Sequence, residues 1–310
     1  NSETQGPFVA YDNGAISQIT NLNFGQNPTF SGNVTAGTNT DGNSKGLFKY
    51  APPTGFLALC DDNLPTPAVA DPGKHFKTVL WLGDGLTGRQ ITKVGFAPDL
   101  VWIFNRDRTT YKPVFDTIRG ATNMIRSNMT NAQGSFDTVL QSFNSDGFTI
   151  GGDCAHNYDG ERVSAWCWKA GGPAVTNNDG GASSLVSANQ EAGFSIVKFT
   201  AQTSGSVTLG HGLGKKPAFW IWKDISGTTG WYVYHQRMGA SAWLQFDAAL
   251  ATTGNTAAWG GVEPTTTVFT HGWGLANQND VIMYIWAEIQ GYSKFGNYIG
   301  NGSDNGPHVY

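Results

Sequence analysis

Two acids stand two apart in "NYDGER", Asp159 and Glu161. Paired carboxylates are what glycoside hydrolysis needs, one to protonate the leaving oxygen and one to attack or to activate water. Gly160 lies between them in a stretch that reads as a turn, so solvated side chains are the simpler expectation. The matching stretch later in the chain, "NQND", offers Asp280 and no Glu partner. The six histidines, at 75, 156, 211, 235, 271 and 308, show no His-x-His or His-x-x-x-His spacing for a metal. There is no Gly-x-Ser-x-Gly. "GHGLGKK" (Gly210 to Lys216) lacks the Gly-Lys-Ser/Thr close of a phosphate loop, and Pro217 follows where a helix would begin. The sequons at Asn33, Asn128 and Asn301 match the abundance of Asn, Ser and Thr. No catalytic residue, metal ligand or cofactor is assigned, and the chain is expected not to be an enzyme.

Binding chemistry is better represented. "CAHNYDGE" (Cys154 to Glu161) and "GWGLANQND" (Gly272 to Asp280) occupy equivalent places and combine an aromatic with amides and carboxylates. That mix suits a sugar, which has an apolar face and a ring of hydroxyls. Loops carried by a rigid scaffold are the usual seat of binding residues. His156, Asn157 and Tyr158 in the first loop and Trp273, Asn277 and Asp280 in the second are therefore the candidate ligand-binding residues. The competing expectation is that Tyr158 and Trp273 only pack their loops against the scaffold.

That scaffold is an internal repeat. Pro98 to Ile125 aligns without a gap on Pro217 to Leu244, at an offset of 119. Pro98 matches Pro217, Val114 matches Val233, Phe115 matches Tyr234, and Gly120-Ala121 matches Gly239-Ala240. Ile103 matches Ile221 with one residue of slack. Phe76 falls on Phe194, Phe148-Thr149 on Phe269-Thr270, and Trp168 on Trp286. The unit is about 100 residues plus a linker. The tail "KFGNYIGNGSDNGPHVY" places Tyr298 to Gly302 on Trp81 to Gly85 and reads as a truncated third copy.

Inside each copy, short runs rich in Val, Ile, Phe, Tyr and Trp alternate with Gly, Asn, Asp and Thr clusters, which indicates strands. The expected fold is all-β: tandem β-sandwich, jelly-roll-like repeats joined by Pro/Gly-rich linkers. The boundaries read as follows: 1–48 the end of a preceding domain or an irregular link, 49–74 a Pro-rich extended strap, 75–170 the first repeat, 171–192 a linker, 193–293 the second repeat, and 294–310 the start of a third. In "LVWIF", Leu100, Trp102 and Phe104 take one face and Val101 and Ile103 the other. In "FWIW", Phe219 and Ile221 oppose Trp220 and Trp222. Successive strand residues point to opposite faces, so these strands are apolar on both sides and need covering twice. A loop, the neighbouring repeat or another subunit would do it.

Composition narrows the class. Charged residues make up only 14%, while Gly numbers 41 and aromatics reach 13% with 11 Trp. Disordered chains are poor in aromatics, so this is a folded, turn-rich protein. The net charge is −4, and no basic cluster exceeds Lys215-Lys216. A nucleic-acid face needs a concentrated positive field, so nucleic acid is not an expected partner. No apolar run is long enough to cross a bilayer as a helix. The first residues, "NSETQGPF", show neither an initiator Met nor a signal-peptide pattern, and the chain reads as a piece excised from a longer one. Cys60, Cys154 and Cys167 form no disulfide framework or metal pair; buried, reduced thiols are expected, as fits assembly in a cytosol.

The strap "APPTGFLALCDDNLPTP", with "HFKTVLWLGDG", "ITKVGFAPDLVWI", "FDTIRGAT", "SFNSDGFTIGG", "AWCWKAGG" and "YSKFGNYIGNGSDNGP", resembles bacteriophage tail-fibre and related virion appendage proteins. In those, a concanavalin A-like or SPRY-like sandwich is followed by tandem β-sandwich repeats. The similarity covers nearly all of residues 49–310. The second copy departs from the first around Ala248 to Pro264, which leaves any shared ligand site open. The resemblance implies a virion location, assembly in the cytoplasm of a bacterial host, contact with other virion proteins and with host-surface glycan, and self-association as a homotrimer. Three functions follow: a structural and adhesive virion fibre; a carbohydrate-binding module acting as a monomer; and, last because no carboxylate pair is present, a glycan-cleaving enzyme.

Overall fold

The structure, a computed structural model, describes residues 29, 35, 37–152, 155–273, 275, 278–303 and 306–307. The chain divides into two compact units, Asn1–Thr66 and Pro67–Tyr310, so the division falls inside the strap. In the first unit, an isolated bridge joins Asn39 to Phe48. Beside it the buried Asp41 carboxylate accepts the backbone N–H groups of Asn43, Lys45 and Ala58 and the Asn63 amide. Burial works to raise the Asp41 pKa, but these four bonds outweigh it and hold the group at about 2. Prolines keep the strap from forming a helix or a strand; its only regular pieces are 3-10 turns at Asp61–Asn63 and Pro72–Lys74.

The second unit is all-β and built from antiparallel sheets. Its first half contains β1 (Phe76–Leu82), β2 (Arg89–Ile91), β3 (Leu100–Asn105), β4 (Pro113–Asp116), β5 (Asn123–Arg126), β6 (Gly134–Ser135), β7 (Leu140–Asn144), β8 (Gly147–Ile150) and β9 (Arg162–Trp168). Its second half contains β10 (Val175–Asn177), β11 (Ser184–Asn189), β12 (Phe194–Thr200), β13 (Val207–Gly210), β14 (Pro217–Asp224) and β15 (Tyr232–His235), then β16 (Ala242–Gln245), β17 (Leu250–Thr253), β18 (Val268–His271) and β19 (Asp280–Ala287). Among the described residues four sheets result, ordered β1-β9-β3-β4-β5-β6, β2-β8-β7, β10-β11-β12-β19-β14-β15-β16-β17 and β13-β18. The series β1-β9-β3-β4-β5-β6 and β12-β19-β14-β15-β16-β17 correspond strand for strand.

Three cores separate these sheets. Val79, Val101, Ile103, Phe115, Val163 and Cys167 of the six-stranded sheet pack on Ile91, Leu140, Phe148 and Ile150 of its small companion. Val197, Trp220, Trp222, Tyr234, Val281, Met283 and Ile285 of the eight-stranded sheet pack on Leu209 and Phe269 of the other. Between the two large sheets lies a third core of Leu100, Trp102, Val114 and Ile125 against Ile196, Ile221, Val233, Ile282 and Tyr284. Two sandwiches therefore stand back to back. The second apolar face of β3 and β14 is covered by the neighbouring repeat, within the chain. Each fully buried aliphatic or aromatic side chain there contributes about 1.5–3 kcal/mol.

Three features depart from the expectations. The stretch 171–192 is not a plain linker, because it carries β10 and β11, which extend the eight-stranded sheet along β12. Register places Leu100 and Phe219 opposite the equivalent residues Trp168 and Trp286, so Trp102 corresponds to Ile221 and Ile103 to Trp222. The register shift between Pro217 and Phe219 lies just before this block, where a proline without an N–H interrupts the ladder. The tail from 294 carries no strand among its described residues; Tyr298 and Ile299 are exposed and Phe295 stacks on Phe219 at 5.3 Å.

Candidate functional site

The loop before β9 is fastened by the residues expected to bind. His156 and Asn157 are buried, only 2% and 1% exposed. The His156 ring bonds the Tyr111 carbonyl at 2.9 Å through Nε2 and packs edge-on against the Tyr111 ring at 4.7 Å. Asn157 Nδ2 donates to Asp84 Oδ1, to the Leu86 carbonyl and to the Gly151 carbonyl at 3.0, 2.8 and 3.1 Å. Its own backbone carbonyl accepts the Gly85 N–H. Gly83 lets this loop approach, since a Cβ there would collide with the Tyr158 carbonyl. Tyr158 faces solvent, half exposed, with the Arg108 guanidinium 4.6 Å over its ring. Glu161 pairs with Arg108 and accepts the Asn105 amide.

The loop before β19 is built differently. Trp273 lies 4.3 Å from Tyr232, 5.6 Å from Trp243 and 5.8 Å from Trp222 between ring centres, against the second sandwich's core. Asp280 takes the Lys198 ammonium at 2.6 Å and the Thr200 hydroxyl at 2.8 Å. Burial works against its ionised form, but these partners keep its pKa below the usual carboxylate range. Asn277 lies outside the described residues. His156, Asn157 and Tyr158 thus belong to the first sandwich and Trp273 and Asp280 to the second. Topological equivalence does not carry the chemistry over: by register, Asp280 stands where the first copy has Arg162.

Three further acids, Asp116, Asp99 and Glu263, are engaged in the same way. Asp116, Arg119 and Tyr284 form a fully buried triad across the two sandwiches. The Arg119 Nε donates to Asp116 Oδ2 at 2.5 Å, the Tyr284 hydroxyl donates to the same oxygen at 2.7 Å, and Arg119 donates to the Tyr284 oxygen at 3.2 Å. Burial raises the Asp99 pKa, and its carboxylate accepts from the Thr117 hydroxyl and the Ala170 N–H. Glu263 accepts from Tyr234, Ala240 and Lys216. Each of these carboxylates closes a fold contact. Cys167 is buried in the first core, and burial pushes its thiol up to about 12, so it stays protonated and inert. Cys60 is half-buried rather than buried, and Cys154 lies outside the described residues.

A concave apolar feature lies elsewhere, at the seam between the large sheets. A cleft of ≈ 490 Å³ opens there between Trp102, Trp166 and Trp168 of the first sandwich and Phe194, Phe219, Ile221 and Trp286 of the second. Phe76, Phe246 and Phe295 also line it. The strand period places the rings: Thr78, Trp166 and Trp102 lie abreast on one face, and Phe76, Trp168 and Leu100 lie abreast two residues along. The rings form a continuous chain, with Trp102–Trp166 at 5.8 Å, Trp166–Trp168 at 6.1 Å, Trp168–Trp286 at 5.9 Å and Trp286–Phe219 at 5.6 Å. Trp166 is 40% exposed and Phe246 47%, so the lip is open to solvent. Tyr292 and Ser293 supply the polar edge, and the Ser293 hydroxyl is engaged with the Ala287 carbonyl. Such a cleft offers dispersion and ring stacking, and its lining holds no carboxylate, imidazole, thiol or amine.

A family model described as a domain of unknown function, DUF7483, matches residues 71–310. The chain belongs to this family. The match takes in both sandwiches. No curated protein and no solved structure matches the chain. Among the described residues no helix is long and apolar enough to cross a membrane.

The cleft was missed from sequence because its walls come from both copies. A signal was present: Trp166 and Trp168 in "SAWCWKA" share one strand face, and Trp286 matches Trp168 one repeat later. Those rings lie on the face that also carries Leu100, Trp102 and Phe104.

Proposed function

We propose that this chain is a non-enzymatic structural and adhesive module of a virion appendage, and that the aromatic cleft at the seam is its attachment site for host-surface glycan. The observation that carries the reading is the open cleft itself, walled by rings from both sandwiches. Rings held in a fixed array present flat apolar faces at low entropic cost, which suits the apolar face of a sugar. The back-to-back sandwiches suit a spacer, since their shared core and buried triad tie the repeats together. Bond cleavage is disfavoured because the carboxylates described above serve fold contacts, away from the cleft lining. The resemblance to tail-fibre proteins supplies the virion context. Self-association, as a trimer or otherwise, does not rest on the twice-apolar strands, because each repeat covers the other.

The test is titration with host-envelope polysaccharide fragments, followed by tryptophan fluorescence. Trp166→Ala and Phe246→Ala alter exposed lip residues and leave the cores intact. Either change is expected to weaken binding about tenfold or more, as for an aromatic anchor. Unchanged affinity in both variants would remove the cleft from the reading. Release of new reducing ends on incubation with polysaccharide would replace adhesion by an enzyme.

A further inference from the structure

The two sandwiches differ at one edge. In the second, β12 is flanked on its outer side by β11, with Leu185 to Asn189 paired antiparallel to Phe194 to Lys198. The equivalent strand in the first, β1, pairs with β9 alone and ends its sheet. The residues that would take the place of β11, around 66–71, are "TPAVAD". Pro67 cannot donate a ladder bond, and the following Ala68 gives its N–H to the Gln290 carbonyl instead. Among the described residues the edge of β1 is therefore left open.

Its hydrogen-bonding pattern is readable. Lys169 donates to the His75 carbonyl and Gly83 to the Glu161 carbonyl, so the odd-numbered residues from 75 to 83 bond inward to β9. Alternation turns the backbone groups of Phe76, Thr78 and Leu80 outward, where no backbone partner meets them among the described residues. The strand is seven residues long, contains no proline and carries one charge, Lys77. The terminal strands of the other large-sheet edges, β6, β10 and β17, have two, three and four residues. Long edges with little charge are ready templates for another strand, and proteins ordinarily blunt them. Leu80 and Leu82 add side chains 64% and 58% exposed on the same strand.

We propose that β1 pairs antiparallel with β1 of a second copy of this chain across a two-fold axis, joining two six-stranded sheets into one. The strand is self-complementary for this. With Val79 on the axis, Thr78 lies opposite Leu80 of the second copy and Leu80 opposite its Thr78, so the outward backbone groups meet each other. Phe76 then faces Leu82, and Lys77 faces Trp81, so no like charges stand opposed. The contact is isologous and closes at two copies. It does for the first sandwich what β11 does for the second.

Sedimentation velocity of the whole chain over a wide concentration range, with hydrogen exchange at the Thr78 and Leu80 amides, tests the pairing. Thr78→Pro removes an outward N–H and leaves the β9 ladder whole. Leu80→Lys sets two positive charges near each other across the axis. The expected result is a concentration-dependent dimer in which both amides exchange at least tenfold more slowly than in the monomer. Both variants should remain folded by circular dichroism and sediment as monomers. A monomer at every concentration, a trimer, or a dimer that persists in both variants with fast exchange at these amides would overturn the proposal.

Discussion

Acid should loosen the second sandwich through one histidine, and the molecule contains its own control. His271 ends β18, 1% exposed, with its ring 5.5 Å from Trp222 and 5.1 Å from Phe199. Among the described residues its Nε2 has no hydrogen-bond partner. Burial holds its pKa down at about 4, against 6.5 for a free imidazole. The folded state thus resists a proton that the unfolded state accepts. Stability is complete above pH 6.5 and is lost as pH falls toward 4. At about 1.4 kcal/mol per pH unit, the full effect below pH 4 is about 3 kcal/mol, and at pH 5 it is about 2 kcal/mol. In the first sandwich the equivalent position holds Ile150, which is buried in the same way. His271→Ile therefore borrows a side chain that this fold already accommodates. Urea unfolding followed by tryptophan fluorescence at pH 8 and pH 5 gives the comparison. The wild type should lose about 2 kcal/mol more than the variant between the two pH values. The variant should also be at least as stable at pH 8, because an unpartnered buried nitrogen is removed. Equal pH sensitivity in the two proteins would refute the reasoning. His211, likewise held at about 4 by burial, contributes a similar background to both.

The buried triad gives a second prediction: Arg119→Met strands Asp116 without its cation and should cost about 3–5 kcal/mol, whereas Tyr284→Phe should cost about 1.5–3 kcal/mol, both by urea midpoint. A double-mutant cycle between them should show coupling above about 0.5 kcal/mol, and strict additivity would count against a shared network. Gly147 sits at φ +145, and a Cβ there would collide with the Ile91 carbonyl. Gly147→Ala should accordingly destabilise by at least about 1–3 kcal/mol on thermal unfolding, while Gly160→Ala, with open space around it, should cost less. Cys167 should resist alkylation until the protein unfolds, which mass spectrometry after iodoacetamide treatment would show.

Much of the fold was legible because strands write their period into the chain. The alternation in "LVWIF" placed Leu100, Trp102 and Phe104 on one face, and that face is the one buried at the seam. Phe76 and Phe194, and Trp168 and Trp286, hold equivalent register positions across the two sheets. The site was less legible. Asn157 has the chemistry of a sugar ligand, yet its amide is used to hold Asp84, Leu86 and Gly151 together. Side-chain type alone does not say whether an amide faces solvent or backbone. Gly and Asn in "GGPAVTNNDGG" suggested a linker, although "SLVSAN" two residues after it is a strand whose support comes from pairing with β12.

By itself, then, the sequence determined the all-β class, the repeat, and the requirement that β3 and β14 be covered twice. Those properties are local or periodic: they depend on neighbours two residues away and on the recurrence of a pattern. Only the tertiary structure decided what covers the second faces, where the cleft opens and which edge stays unpaired. Each depends on how two sheets far apart in the chain meet, and that is set by side-chain packing across the seam rather than by any one segment's pattern.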